Sequence, residues 1–339
     1  MSATVRILPS GHEFDLEPHD TVLEGGLRAG YPVAYGCSNG NCGFCAARLI
    51  DGEIEETLHS DFVFSDAEKA ENSFLMCANR ALGDIVVEAP EALGADDIPL
   101  QSLKARVKAV EALSDDVLNV HLRTPRTSRL RFLAGQYVRL GGAGGPTGEY
   151  TVASCPCDDR NLHIHIGRRD GAAFSEHAFN GLKANDTVPV EGPWGSFVLA
   201  EDRVRPLLFL AFGTGFAPVR SLVEHAMSLD EAKDETTPML VYWMTEGGGD
   251  PYLHNLCRSW QDAFEDIRYT PLACPGGEDD GRRRAWLDLM QRVREEVGDL
   301  AGFDVYLSAP EGLHGESREF FNDAGVAGNA LHLEPLRQG

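Results

Sequence analysis

The sequence is short of positive charge. It has 30 Lys and Arg against 53 Asp and Glu, a formal net charge of −23. A surface of that sign repels a phosphate backbone, so nucleic acid is excluded as a partner. Long apolar runs are missing too. The longest, PLLFLAF at 206–212, is far too short to cross a bilayer, and no membrane partner is expected. The N-terminus, MSATVRILPSGHEFDLE, lacks an apolar core followed by small residues. It does not read as a secretory signal, and a cytoplasmic location is expected. Internal repeats are absent. Paired Cys-x-x-Cys knuckles, the usual mark of structural zinc, are also lacking, since only Cys42–Cys45 forms one. In a reducing compartment, eight cysteines point to metal ligation or chance burial before disulfides.

What is present is unevenly spread. Residues 1–100 hold 18 Asp or Glu and 5 Lys or Arg, a net of −13. That would steer a basic protein partner to the first third of the chain, although acidity also serves solubility. The length, 339 residues, is that of two or three domains. Three blocks are visible. In 1–92, TVRILPS and HEFDLE read as a hairpin and TVLEGGLRAG as a short helix. CAARLIDGEIEE and DIVVEA read as strands with a helical turn, SDAEKAEN, between them. The polar stretch PEALGADDIPLQ, 90–101, follows, with the linker proper at 93–101. In 102–200, six short β-forming runs and one helix, FSEHAFNGLK, suggest a small antiparallel barrel. In 205–339, strand and helix alternate from PLLFLAFG to ALHLEP, the rhythm of a doubly wound parallel sheet. The expected fold is therefore multidomain, α+β and α/β.

The cysteines give the sharpest signal. Cys37-x4-Cys42-x2-Cys45 is followed by Cys77 after 31 residues, the plant-type spacing for a 2Fe–2S cluster. Such a cluster carries two net negative charges, and an added electron makes three. Backbone N–H groups must therefore approach the sulfurs, which Gly36, Gly40 and Gly43 permit, and Ser38 and Asn39 can add donors. Zinc is the competing reading. Cys155, Cys157, Cys257 and Cys274 are scattered and read as buried or incidental thiols, with Cys155-x-Cys157 too tight for ordinary tetrahedral ligation. With LIDGEIEE and LMCAN in their places, block one resembles a plant-type ferredoxin domain throughout, which implies a β-grasp fold with Cys37, Cys42, Cys45 and Cys77 as the iron ligands.

A one-electron carrier and a nicotinamide need a flavin between them. Block two carries Gly148-Glu149-Tyr150-Thr151, then Arg168-Arg169-Asp170-Gly171-Ala172-Ala173-Phe174-Ser175 ahead of a helix, then GPWGSF at 192–197. These resemble the flavin domain of the ferredoxin–NADP reductase superfamily. The resemblance implies FAD, with Tyr150 stacked on the isoalloxazine, Thr151 at its N5 edge, and the 168–175 loop with the Ser175 hydroxyl at the pyrophosphate. Gly148 stands where that family has a phosphate-binding arginine. Such a charge-assisted contact is worth roughly 1.5–3 kcal/mol, for which Arg168 or Arg169 would compensate. FMN is the alternative that this change leaves.

Block three opens LLFLAFGTGFAPVRSLV, a strand, a glycine turn and a helix with Pro218 in its first turn. It resembles the NAD(P)H lobe of the same superfamily, which implies nucleotide binding at Gly213, Thr214 and Gly215, with Thr214 facing the nicotinamide. Glu246 occupies the usual position of an arginine that contacts adenosine phosphate. A carboxylate there favours NADH over NADPH. Ser308-Ala309-Pro310 replaces Cys-Gly-Pro, and Leu336, beside Glu334, stands where an aromatic often covers the flavin.

The resemblance spans the chain and implies a single-chain reductase component of a bacterial oxygenase. Electrons would run from NADH through FAD and the cluster to a terminal oxygenase docked on the acidic block. Thr151 and Ser308 are the residues expected to tune hydride transfer, and no general base is needed. Two other readings stand beside it: an electron carrier reduced by another protein, and a reductase serving a non-oxygenase acceptor such as a deoxysugar dehydratase. No site for an organic substrate is expected.

Overall fold

The computed structural model describes residues 3–337, apart from 93, 126–127, 143, 201–203, 234–235, 247–248 and 275–278. The first part is a mixed sheet folded around one helix. Strands β1 (Ala3–Leu8) and β2 (Glu13–Leu16) pair antiparallel, and α1 (Val22–Arg28) follows. Its start is fixed by Thr21, whose hydroxyl accepts the Glu24 N–H while the Glu24 carboxylate accepts the Thr21 N–H. Then come β3 (Ala46–Asp51), β4 (Ile54–Glu56), α2 (Asp66–Ala70), β5 (Ser73–Leu75), β6 (Asn79–Ala81) and β7 (Ile85–Glu88). The sheet order is β2-β1-β7-β3-β5, with β1 and β7 parallel and a separate β4–β6 pair. The run CAARLIDGEIEE is two strands, not the one its composition suggests, because the chain turns at Asp51–Gly52. Between 94 and 100 only a 3-10 turn, Ala95–Asp97, is present.

The second part is an antiparallel barrel. It uses β8 (Gln101–Ala112), β9 (Val117–Arg123), β10 (Tyr137–Leu140), β11 (Gly148–Thr151), β12 (Asn161–Gly167) and β13 (Thr187–Trp194), with α3 (Ala173–Asn180) after β12. The order is β11-β10-β13-β8-β9-β12, and a bridge from Val152 to Ile164 joins the two ends. Val107, Val120, Leu122, Val138 and Ile164 fill the interior at 0% exposure.

The third part is a parallel sheet between helices: β14 (Leu207–Phe212), α4 (Phe216–Lys233), β15 (Met239–Glu246), α5 (His254–Ala263), β16 (Ile267–Cys274), α6 (Asp279–Val297), β17 (Asp304–Ala309), α7 (His314–Asp323) and β18 (Leu331–Pro335). All six residues of β14 are buried, as expected of a strand covered on both faces. The order β16-β15-β14-β17-β18 reverses at β14, which opens a crevice at the carboxyl ends of β14 and β17. The parts are joined by packing as well as by chain. Leu229 of α4 sits in the core of the first part, and Ser228 Oγ donates to Arg28 O at 3.0 Å. Among the described residues, no helix is long and apolar enough to cross a membrane.

Candidate electron-transfer site

Cys37, Cys42 and Cys45 lie on the loop between α1 and β3, and Cys77 on the 3-10 turn Met76–Ala78. The loop wraps around its own sulfurs. Asn41 N–H and Cys42 N–H both donate to Cys37 Sγ at 3.3 Å, and Cys37 N–H donates to Cys42 Sγ at 3.2 Å. Burial pushes the Cys37 thiol up, but backbone donors led by Asn39 and Asn41 outweigh it and hold the thiol below its ordinary value. Cys45 and Cys77 are buried and share a hydrogen bond, which pulls Cys77 down to about 7 and pushes Cys45 up. Gly43 has φ +80°, and a Cβ there would lie 2.3 Å from the Phe62 ring, so only glycine lets this loop close. Ser38 Oγ is buried with no protein partner. Four converging thiols, backbone donors to sulfur and a spare hydroxyl fit a 2Fe–2S cluster.

At the carboxyl edge of β14 a cavity is lined by Thr151, His165, Thr214, Gly215, Ser308 and Leu336, with Pro335 and Arg337 beside them. The crevice thus brings together residues from the barrel, the glycine turn, β17 and the C-terminal segment. The approach is close: a Cβ on Gly215 would lie 2.5 Å from Ser308 O and 2.8 Å from Leu336 Cδ2. Gly213 and Thr214 complete the turn at the N-terminus of α4. Tyr150 is buried and packs on Phe174 with ring centroids 5.8 Å apart, which links the two halves of the flavin motif.

The 168–175 loop is internally tied. Ser175 Oγ donates to Gly167 O at 2.8 Å and accepts Arg169 N–H at 3.1 Å, while Gly171 N–H donates to Glu176 Oε1 at 2.9 Å. The Arg168 guanidinium lies over the Phe179 ring at 4.1 Å, Arg169 is exposed, and Ala172 precedes Ala173 at the start of α3. A different cation faces the Gly148 strand. Arg139 lies opposite Glu149 in the β10–β11 register, with ion pairs to Glu149 at 3.0 Å and Glu191 at 3.4 Å.

Several residues of the site gave no sequence signal. His165 looked like one polar position of a barrel strand. It is 3% exposed, with Nδ1 3.1 Å from the Tyr252 hydroxyl and Nε2 3.4 Å from Arg220. Burial, then Arg220, hold its imidazole well below the ordinary value, so it is neutral. Glu246, at the carboxyl end of β15, pairs with Arg282 of α6 at 2.5 Å. Between cluster loop and barrel, Arg129 reaches Asp159 at 3.1 Å in a contact largely shut off from water. Tyr35, next to the loop, is buried against the same carboxylate, and burial followed by Asp159 raises its phenol well above the ordinary value. Cys155 and Cys157 correct the expectation of incidental thiols. The turn at Pro156–Asp158 brings their Cα atoms to 5.2 Å and the two are joined as a disulfide. Cys257 and Cys274 are buried and take no part in that disulfide.

Three family models match the chain in sequence order. Residues 5–82 match the 2Fe-2S iron-sulfur cluster binding domain, 104–199 the oxidoreductase FAD-binding domain, and 209–318 the oxidoreductase NAD-binding domain. The chain is 30% identical over 329 residues, 97% of each chain, to a CDP-6-deoxy-L-threo-D-glycero-4-hexulose-3-dehydrase reductase of Yersinia pestis. It is 26% identical over 339 residues, 100% of this chain and 98% of the other, to a terephthalate 1,2-dioxygenase reductase component of Comamonas. The structure resembles an Amycolatopsis cytochrome P450 reductase with a TM-score of 0.60 at 26% identity, covering 98% of both chains. The chain therefore belongs to the family of three-part electron-transfer reductases, oxidoreductases that join a 2Fe–2S domain to FAD-binding and NAD-binding domains.

Proposed function

We propose that this reductase oxidises NADH at the Thr151–Thr214–Ser308 crevice and delivers single electrons from the Cys37, Cys42, Cys45 and Cys77 cluster to a separate redox protein. In this reading 1–92 carries the cluster, 93–101 is a linker, 102–200 holds FAD and 205–339 holds the nicotinamide, all in the cytoplasm. The bound flavin supplies the conversion of a two-electron donor into one-electron steps. The chain's part is alignment. Thr214 and Gly215 seat the nicotinamide, Thr151 and Ser308 line the reacting edge, and Leu336 closes it from the C-terminal side. His165 is neutral and adds no charge where a hydride must pass. Tyr150 and the 168–175 loop hold the flavin.

The observation that carries this reading is the convergence of Thr151, Thr214 and Ser308 from three distant segments into one cavity. Two further points follow. Glu246 favours the ribose hydroxyl of NADH over a 2′-phosphate. The acceptor docks on the acidic first part, near exposed Phe44 and Val63 beside the cluster loop. A terminal oxygenase is the acceptor class we favour. A sugar dehydratase is the second reading, supported by the 30% identity to a dehydrase reductase over nearly the whole chain. Rapid mixing of the purified, coloured protein with NADH is the test. Flavin absorbance is expected to bleach within seconds and cluster absorbance to follow. Persistent flavin absorbance would instead identify a carrier reduced by another protein.

A further inference from the structure

The turn at 155–159 touches all three parts of the molecule. It belongs to the barrel, packs against α1 of the first part and against α4 of the third. Cys155 Sγ lies 3.8 Å from His225 Nδ1 on α4 and accepts the Cys157 N–H at 3.2 Å. Cys157 faces a crevice that it lines with Leu27, Gly30, Tyr35, Arg131 and His225. Cys157 is only partly buried and lines that crevice, so a thiol can reach its sulfur. Two residues on, Asp159 holds Arg129 and Tyr35, the latter one residue before the cluster loop. Neither the cluster nor the crevice chemistry uses this pair.

We propose that Cys155 and Cys157 form a redox-active disulfide site, opened by an external dithiol, whose state sets how firmly the cluster-bearing part is seated on the barrel. In a reducing cytoplasm a disulfide is usually transient and either catalytic or redox-sensing. The surroundings assign the two sulfurs different roles. An incoming thiolate attacks Cys157 Sγ, on the crevice side. The S–S electron pair leaves on Cys155 Sγ, where the Cys157 N–H stabilises the thiolate and His225 Nδ1 hands it a proton. The second thiol of the reductant then displaces Cys157 Sγ from the mixed disulfide, and that thiolate is protonated from water. His225 recovers its proton from water, so the protein gains two electrons and two protons, and the dithiol leaves as a disulfide. Releasing the link lets the turn relax, and with it the carboxylate that grips Tyr35 and Arg129.

The test uses the holoenzyme. It is equilibrated with dithiothreitol over a range of reduced-to-oxidised ratios, quenched with N-ethylmaleimide and digested with trypsin. The peptide Leu140–Arg160 contains no cysteines other than Cys155 and Cys157, so its mass reads this site without interference from the cluster ligands. It is expected to be unlabelled after aerobic isolation and doubly labelled after reduction, with a sharp midpoint between. His225→Ala is expected to slow the opening by at least about tenfold, as loss of a positioned proton donor does. The consequence for electron flow rests on the proposed function. It is read separately, as a change of at least about twofold in delivery to an acceptor served by the cluster, against none to ferricyanide served by the flavin. The C155S/C157S double variant should be insensitive to dithiothreitol in both assays. Double labelling without reductant, no labelling at the most reducing ratio, or one equivalent of zinc in the isolated protein would overturn the site. An equal dithiol response in the double variant would overturn its role while leaving the chemistry and the NADH reading standing.

Discussion

At the scale of single residues, the Glu246–Arg282 pair is the feature on which the proposed choice of nucleotide rests. Glu246 alone would repel a 2′-phosphate. Yet Arg282, 2.5 Å away, is the kind of cation that accommodates one, and the carboxylate holds it. The two charges therefore oppose each other at the carboxyl end of β15. Glu246→Gln is expected to release Arg282 and raise kcat/KM for NADPH by about tenfold to a hundredfold, the worth of one charge-assisted contact. Adding Arg282→Leu should remove that gain and leave NADH turnover within about twofold. Steady-state kinetics with both nucleotides reads this directly. If Glu246→Gln left the NADPH/NADH ratio where it was, neither residue would be setting the choice. The carboxylate was visible in the sequence because it follows a strand. Its partner was not, because an arginine among Arg282, Arg283 and Arg284 on a helix reads as a solvated face until the fold turns one of them inward.

The same contrast runs through the elements. Period and composition gave the barrel strands and the βα alternation, because each strand buries one face or both. The cluster loop was legible because thiolate spacing and glycine positions are local. The break in CAARLIDGEIEE, the Arg139–Glu149–Glu191 row and the 155–159 turn were not, since each depends on what lies across the sheet. Strands β9 and β12 show what such a contact does. His163 lies directly opposite His121, with ring centroids 4.6 Å apart, and its Nδ1–H donates to Asn119 Oδ1 at 3.2 Å. Burial, with Arg220 and His121 adding to it, lowers the His163 imidazole to about 4. The unfolded chain thus binds a proton near pH 6.5 that the folded barrel refuses until about 4. Stability from this group is complete above the higher value and is lost as the pH falls towards the lower one. Thermal unfolding of the holoenzyme should show a midpoint that drops over that range, and His163→Gln should flatten the drop. An unaltered slope in the variant would assign the acid sensitivity elsewhere.

For the molecule as a whole, charge and seating divide the work. The net charge of −23, with −13 in the first hundred residues, acts at long range on a partner and little within the fold. The Debye length falls from about 30 Å at 0.01 M salt to about 8 Å at 0.15 M. The association rate with a basic acceptor should therefore fall steeply over that range, while NADH-to-flavin transfer stays level. A salt-independent association rate would remove electrostatics from the docking. Seating of the first part on the barrel involves short-range contacts, among them Asp159 between Arg129 and Tyr35. Its side chain is 5% exposed and that of Arg129 13%, so deleting one charge strands the other, at about 3–5 kcal/mol. Asp159→Asn keeps the shape and removes the charge. Because the contact lies between the cluster loop and the barrel and away from the Thr151–Thr214–Ser308 crevice, the flavin should still bleach at the parent rate on mixing with NADH. Only the later reduction of the cluster should slow, and the first part should be cut more readily by protease. If both phases slowed together, the contact would be holding the whole barrel in shape. If neither did, the cluster would owe its position to α1, α4 and Leu229, and the buried ion pair would be incidental to the electron's route.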